Sequence, residues 1–105
     1  MVARGDQGPP HQLIAGVAYT PDGRDWALAV AREFRAGGIR TEVDLSERSL
    51  TQQLSRLSKS ADYALIIGKR EKENSLVTLK NLRSGIQQEL TLPEAIREVT
   101  GSEPR

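Results

Sequence analysis

The order in which short apolar runs alternate with amphipathic stretches constrains this chain more than any other feature. Leu13-Ile14-Ala15-Gly16-Val17-Ala18-Tyr19 is apolar throughout and bounded by Thr20-Pro21-Asp22-Gly23, which reads as a strand buried on both faces. It is far shorter than the roughly 20 residues a membrane-spanning helix needs. From Asp25 to Ala36, Trp26, Ala27, Val30, Ala31 and Phe34 recur at helical spacing, and Gly37-Gly38 supplies a left-handed stop. Asp22 or Asp25 is expected to cap this helix. Ile39 to Leu45 alternates as a strand nearer a sheet edge. Ser49 and Gln52 have capping-box spacing ahead of a helix with the apolar stripe Leu50, Leu54, Leu57 and Ala61. Tyr63-Ala64-Leu65-Ile66-Ile67 is a second buried strand, ending at Gly68.

Beyond Gly68 a polar loop is expected, followed by strands alone. Leu76 to Lys80 and Ile86 to Leu92, joined by Asn81-Leu82-Arg83-Ser84-Gly85, read as a hairpin. A short closing helix has Thr91 and Glu94 at capping-box spacing, Pro93 in its first turn, and Ala95, Ile96 and Val99 on its buried side. The order βαβαβ then ββα requires crossover connections, so the first three strands should be parallel, with helices on both faces and a reversed strand from the hairpin. The 105 residues suffice for one compact domain and exclude a large enzyme with separate cofactor and substrate domains. Residues 1–12, with Gly5, Gly8, Pro9 and Pro10 and no apolar core, read as a linker or expression remnant; residues 13–100 form the domain, and 101–105 are expected to fray.

Several chemistries are excluded. There are no cysteines, so thiolate catalysis and cysteine-ligated metals are absent; the chain is expected in a reducing, cytoplasmic setting, with no membrane partner. The single histidine, His11, lies beside Pro9-Pro10, which leaves no base for a triad and no metal site. Gly68-Lys69 lacks the upstream glycine and following Ser or Thr of a phosphate loop, and Thr20-Pro21-Asp22-Gly23 lacks the spaced glycines of dinucleotide sites. Glu71 and Glu73 read as solvated charges rather than an acid-base pair, and Trp26 and Phe34 as core rather than stacking platforms. No catalytic residue is assigned. The net charge of +1 supplies no strong nonspecific affinity for nucleic acid. Residues 44–85, however, carry eight basic against five acidic side chains, so an anion would bind in the middle third.

Three stretches in order resemble one family: Ala27-Leu28 through Phe34-Arg35-Ala36-Gly37-Gly38-Ile39 to Val43-Asp44-Leu45; Arg48-Ser49-Leu50 with Gln53-Leu54; and Ala64-Leu65-Ile66-Ile67-Gly68-Lys69-Arg70-Glu71. Together they look like the anticodon-binding domain of class IIa aminoacyl-tRNA synthetases. Val77-Thr78-Leu79-Lys80-Asn81-Leu82-Arg83-Ser84-Gly85-Ile86-Gln87 is similar to the V-x-x-K-[DN]-L-x-[ST]-G-x-Q hairpin of the histidyl branch. One departure is Gly68-Lys69-Arg70-Glu71, where the family often has Gly-Glu-x-Glu. The resemblance implies a three-layer α/β/α fold with a five-stranded mixed sheet, order 2-1-3-4-5 and strand 4 antiparallel. It also implies an excised C-terminal module of a homodimeric histidine-tRNA ligase, whose separate catalytic domain uses ATP and Mg; no cofactor is expected in this domain.

By the same resemblance the partner is the anticodon loop of tRNA, and the recognising positions are Ser46, Glu47, Arg48, Glu71, Thr78 and Lys80. Glu71 is expected to accept from a base amino or imino group and Lys80 to donate to base or phosphate. Arg48, Lys69, Arg70 and Arg83 are expected to contact phosphates. The competing reading of each residue alone is plain: Glu47 and Arg48 decorate a helix start, and Lys80 and Arg83 keep a hairpin soluble. Two other functions compete. One is a regulatory or protein-interaction module of a synthetase paralogue or tRNA-sensing kinase, keeping the core but not the basic surface. The other is a small α/β enzyme using the switch between strands 1 and 3, lined by Tyr19, Thr20 and Gly68.

Overall fold

Five strands make one mixed sheet in the order β2-β1-β3-β4-β5. The computed structural model describes residues 13–44 and 49–101; the expected linker at 1–12, the segment 45–48 with Ser46, Glu47 and Arg48, and residues 102–105 lie outside the described residues. The strands are β1 (Ile14–Tyr19), β2 (Arg40–Val43), β3 (Tyr63–Ile67), β4 (Leu76–Asn81) and β5 (Gln87–Thr91). The helices are α1 (Arg24–Ala36), α2 (Leu50–Ser60), α3 (Lys69–Asn74) and α4 (Leu92–Gly101). β1 pairs in parallel with β2 and β3, and β4 runs antiparallel to both β3 and β5. The expected architecture and strand order are therefore observed. No helix among the described residues is long and apolar enough to cross a membrane.

Strand alternation sorts side chains onto two faces. Ala15, Val17, Tyr19, Tyr63, Leu65, Ile67, Val77 and Leu79 join Val30 and Phe34 of α1 and Ala95 and Val99 of α4 in the main core. The Trp26 indole N–H, at the start of α1, donates to the Leu76 carbonyl at 2.8 Å, so this half-buried ring links α1 to β4. The opposite face is covered only in part. There α2 lies over β1, with Leu57 filling the notch left by Gly16, and β4 and β5 extend beyond it.

The structure corrects four local expectations. No side chain caps α1: its N-cap is Gly23, and Pro21–Gly23 forms a single tight helical turn ahead of it. The buried side of α2 includes a polar residue, Gln53, 1% exposed, whereas Leu50 and Leu54 are half-buried and Ala61 lies past the helix end. β1 continues past the end of β2, and the Gln53 carboxamide takes the place of the missing strand residue. Its Oε1 accepts from the Tyr19 N–H at 2.9 Å and its Nε2 donates to the Tyr19 carbonyl at 2.8 Å. The expected loop after Gly68 is instead the helix α3, and Gly101 still belongs to α4.

The capping boxes form as the spacing predicts. The Gln52 N–H donates to Ser49 Oγ at 3.2 Å and the Ser49 N–H to Gln52 Oε1 at 3.3 Å. At α4 the Thr91 N–H donates to Glu94 Oε1 at 3.0 Å, and these bonds to Thr91 hold the Glu94 carboxyl below the ordinary glutamate range, aided by Arg97. A carboxylate favoured in the folded state stabilises above its unfolded pKa, and that contribution disappears as pH falls through the depressed folded value. Glu94→Gln should therefore lower the melting temperature slightly at neutral pH and by less at acid pH. Paired thermal melts at the two pH values check this; an equal deficit at both would contradict it.

Candidate nucleic-acid interface

The part of the sheet beyond α2 presents the half-buried Lys80 and Ile66 and the exposed Gln87 and Glu89, with Thr78 and Ala64 buried between them, and these residues come together through register. On the α2 side, Thr78 of β4 sits opposite Ile66 of β3 and Glu89 of β5, and Lys80 sits opposite Ala64 and Gln87. Thr78 and Lys80 are two residues apart on one strand, so they share this face at a separation of about 7 Å. The face is bordered at one end by α3.

Helix α3 escapes sequence periodicity because Lys69-Arg70-Glu71-Lys72-Glu73-Asn74 contains no apolar residue. It forms through local hydrogen bonding and contact with β4. Glu71 Oε1 accepts from the Gly68 N–H at 2.8 Å, satisfying an orphan donor at the helix start, and the Lys72 N–H donates to the Gly68 carbonyl at 3.0 Å. Glu71 Oε2 accepts from the Thr78 hydroxyl at 2.9 Å and so ties α3 to β4. Ser75, in the left-handed region at φ 55°, turns the chain from α3 into β4.

Of the residues expected to recognise RNA, the structure brings Glu71, Thr78, Lys80 and Arg70 together. Arg70 reaches across to Glu89, with a nitrogen to oxygen distance of 3.1 Å. Lys80 is half-buried and makes no hydrogen bond or ion pair among the described residues. Lys69 is exposed at the start of α3. Arg83 lies elsewhere: it sits in the β4–β5 turn, at the opposite end of β4 from α3, and its guanidinium donates to Asp62 Oδ1 at 2.8 Å. Asp62 Oδ2 also accepts from the Ile14 N–H at 2.9 Å, so Arg83 helps fasten the hairpin to the start of β1.

Two residues on the face, Gln87 and Glu89, were missed at the sequence level. The alternation from Ile86 to Leu92 already groups Gln87, Glu89 and Thr91 on one side; only the β4–β5 register shows that this side is the uncovered one.

At the switch between β1 and β3, the backbone polar groups are engaged, while the buried Thr20 hydroxyl oxygen has no hydrogen-bond partner among the described residues. The Thr20 N–H donates to the Ile67 carbonyl at 3.0 Å, the Gly68 N–H is held by Glu71, and a Cβ on Gly23 would fall 2.8 Å from the Ile67 oxygen. Tyr19 is buried in the core. Among the described residues this arrangement offers no nucleophile hydrogen-bonded to a base for the small-enzyme reading.

The family model described as "Anticodon binding domain" matches residues 13–101. The chain belongs to the anticodon-binding-domain family. This domain is 52% identical over 99 residues to the histidine–tRNA ligase of Methanoculleus marisnigri, covering 94% of this chain and 24% of the relative. It is likewise 52% identical over 99 residues to that of Methanoregula boonei, with 94% and 24% covered. The chain thus spans about a quarter of the length of the curated relatives it matches. Among solved structures, the RNA binding domain of threonyl-tRNA synthetase from Cryptosporidium parvum Iowa II has a TM-score of 0.76 at 24% identity, covering 90% of this chain and 24% of that one. Histidyl-tRNA synthetase from Nostoc sp. PCC 7120 has a TM-score of 0.76 at 24% identity, covering 86% and 22%. These two likenesses show that the anticodon-binding-domain fold is shared.

Proposed function

We infer that the β4–β5 face beyond α2, with the adjoining edge of β3, binds the anticodon loop of a tRNA, and that the domain serves a histidine–tRNA ligase. Aminoacylation, with its ATP and Mg, would belong to a separate catalytic domain of a cytoplasmic, homodimeric enzyme. The observation that carries this reading is a sheet face left open by α2 and lined by hydrogen-bonding groups, within a chain matched to the anticodon-binding family from residue 13 to 101. Unpaired anticodon bases splay and can be addressed on their edges, while cations hold the flanking phosphates. Lys80 supplies a donor in the middle of the face, and Lys69 and Arg70 supply positive charge at its α3 end. Glu71 and Thr78 form the frame that holds α3 against β4. Arg83, at the far end, could touch RNA only on a path that runs the length of β4.

Titration of a labelled histidine anticodon stem-loop at low and moderate salt tests the reading. Saturable, salt-sensitive binding is expected. Lys80→Glu should weaken it about tenfold and flatten the dependence of log K on log salt by about 0.7, one single-stranded phosphate contact. An unchanged isotherm would contradict the role given to Lys80. A second reading, a protein-interaction module, is favoured by one observation: the Arg70 guanidinium is already engaged by Glu89. Absence of saturable binding would favour it.

A further inference from the structure

Resting on that reading, we propose that Glu89 is a specificity-determining residue of the RNA face and that it selects guanine. Among the described residues the face carries two carboxylates, and the structure gives them different work. Glu71 has one oxygen on the Gly68 N–H and the other on the Thr78 hydroxyl, so both atoms hold the α3–β4 junction. Glu89 stands directly opposite Thr78 on the neighbouring strand, and its side chain is 35% exposed. Its Oε1 receives the Arg70 guanidinium at 3.1 Å, and among the described residues its Oε2 has no hydrogen-bond partner.

An ionised carboxylate only accepts hydrogen bonds. A phosphate approaching it is repelled, so Glu89 fits the donor-bearing edge of a base. Guanine alone among the four bases places two adjacent donors, N1–H and the N2 amino group, on its Watson–Crick edge, matching the two oxygens of a carboxylate. Arg70 orients the Glu89 carboxylate and offsets its charge, which keeps the face accessible to a polyanion. A charge-assisted bidentate pair of this kind discriminates more strongly than a single neutral bond.

The test uses wild-type protein and Glu89→Gln with anticodon stem-loops carrying guanine, inosine or adenine at each anticodon position in turn. Wild type should prefer guanine by about tenfold or more at one position, and inosine, lacking the N2 amino group, should lose most of that preference. Glu89→Gln turns one acceptor into a donor, so the guanine preference should collapse while adenine, which offers a donor beside an acceptor, gains. If Glu89 merely neutralises Arg70, the variant will instead bind every stem-loop more tightly by the same factor, and the assignment is overturned. Guanine preference surviving intact in Glu89→Gln overturns it too, as does a wild type indifferent to the base at all three positions. A wild type that binds no stem-loop would overturn the proposed function itself, and this assignment with it.

Discussion

Gln53→Leu should destabilise the domain by about 2–6 kcal/mol, since it leaves two buried backbone groups, each worth about 1–3 kcal/mol, without partners. The Tyr19 N–H and carbonyl face the side where β2 has ended, and the Gln53 carboxamide satisfies both at 2.9 and 2.8 Å. Leucine has similar bulk, so most of the loss reflects hydrogen bonding rather than a cavity. Against a total stability of about 5–15 kcal/mol the change is severe. Urea denaturation reads it as a lower midpoint with little change in slope. Gln53→Glu supplies the matching pH test. Ionised, it cannot donate to the Tyr19 carbonyl and buries a charge; protonated, it can donate and accept as glutamine does. Its stability relative to wild type should therefore improve as pH falls, and a deficit independent of pH would contradict the assigned geometry.

Gly16→Val should cost about 3 kcal/mol, at the upper end for overpacking, because nothing can occupy the space above Gly16 while α2 stays in place. A Cβ there would collide with Leu57 Cδ2 and fall 2.9 Å from Cδ1 and Cγ. Since the whole Leu57 side chain is in the way, α2 must lift from β1 or Leu57 must be expelled. The effect is tested by coupling: in a Leu57→Ala background Gly16→Val should cost markedly less, giving an interaction energy of about 1 kcal/mol or more. Strict additivity would show that Gly16 and Leu57 do not compete for the same space. Gly16 and Gln53 together seat α2 over β1, and that position leaves β4 and β5 open for RNA.

How far the sequence could be read follows from where its signals are local. The strands β1 and β3, helix α1 and helix α4 were legible because apolar spacing and caps are properties of neighbouring residues. Gly38, at φ 87°, makes the left-handed stop after α1 that was expected of Gly37-Gly38, and Gly85, at φ 81°, serves the β4–β5 turn. Helix α3 was illegible, since six polar residues carry no period and their helix depends on Glu71 meeting Gly68 and Thr78. Gln53 was not among the residues read as the apolar stripe of α2, and its burial depends on β2 ending before β1 does. The membership of the site was only partly legible for the same reason. Lys80 and Thr78 lie on one face by simple alternation, whereas Arg83 leaves the site through the turn to join Asp62, and Glu89 enters it through the β4–β5 register.

The central claim is that RNA lies on the sheet face that α2 leaves uncovered. It is tested most directly by following the backbone amide resonances of isotope-labelled protein as the histidine anticodon stem-loop is added at low salt. The largest changes should fall on Lys69 and Arg70 in α3, Thr78 and Lys80 in β4, and Gln87 and Glu89 in β5. Changes gathered on α1 and α4, across the sheet, would contradict the account.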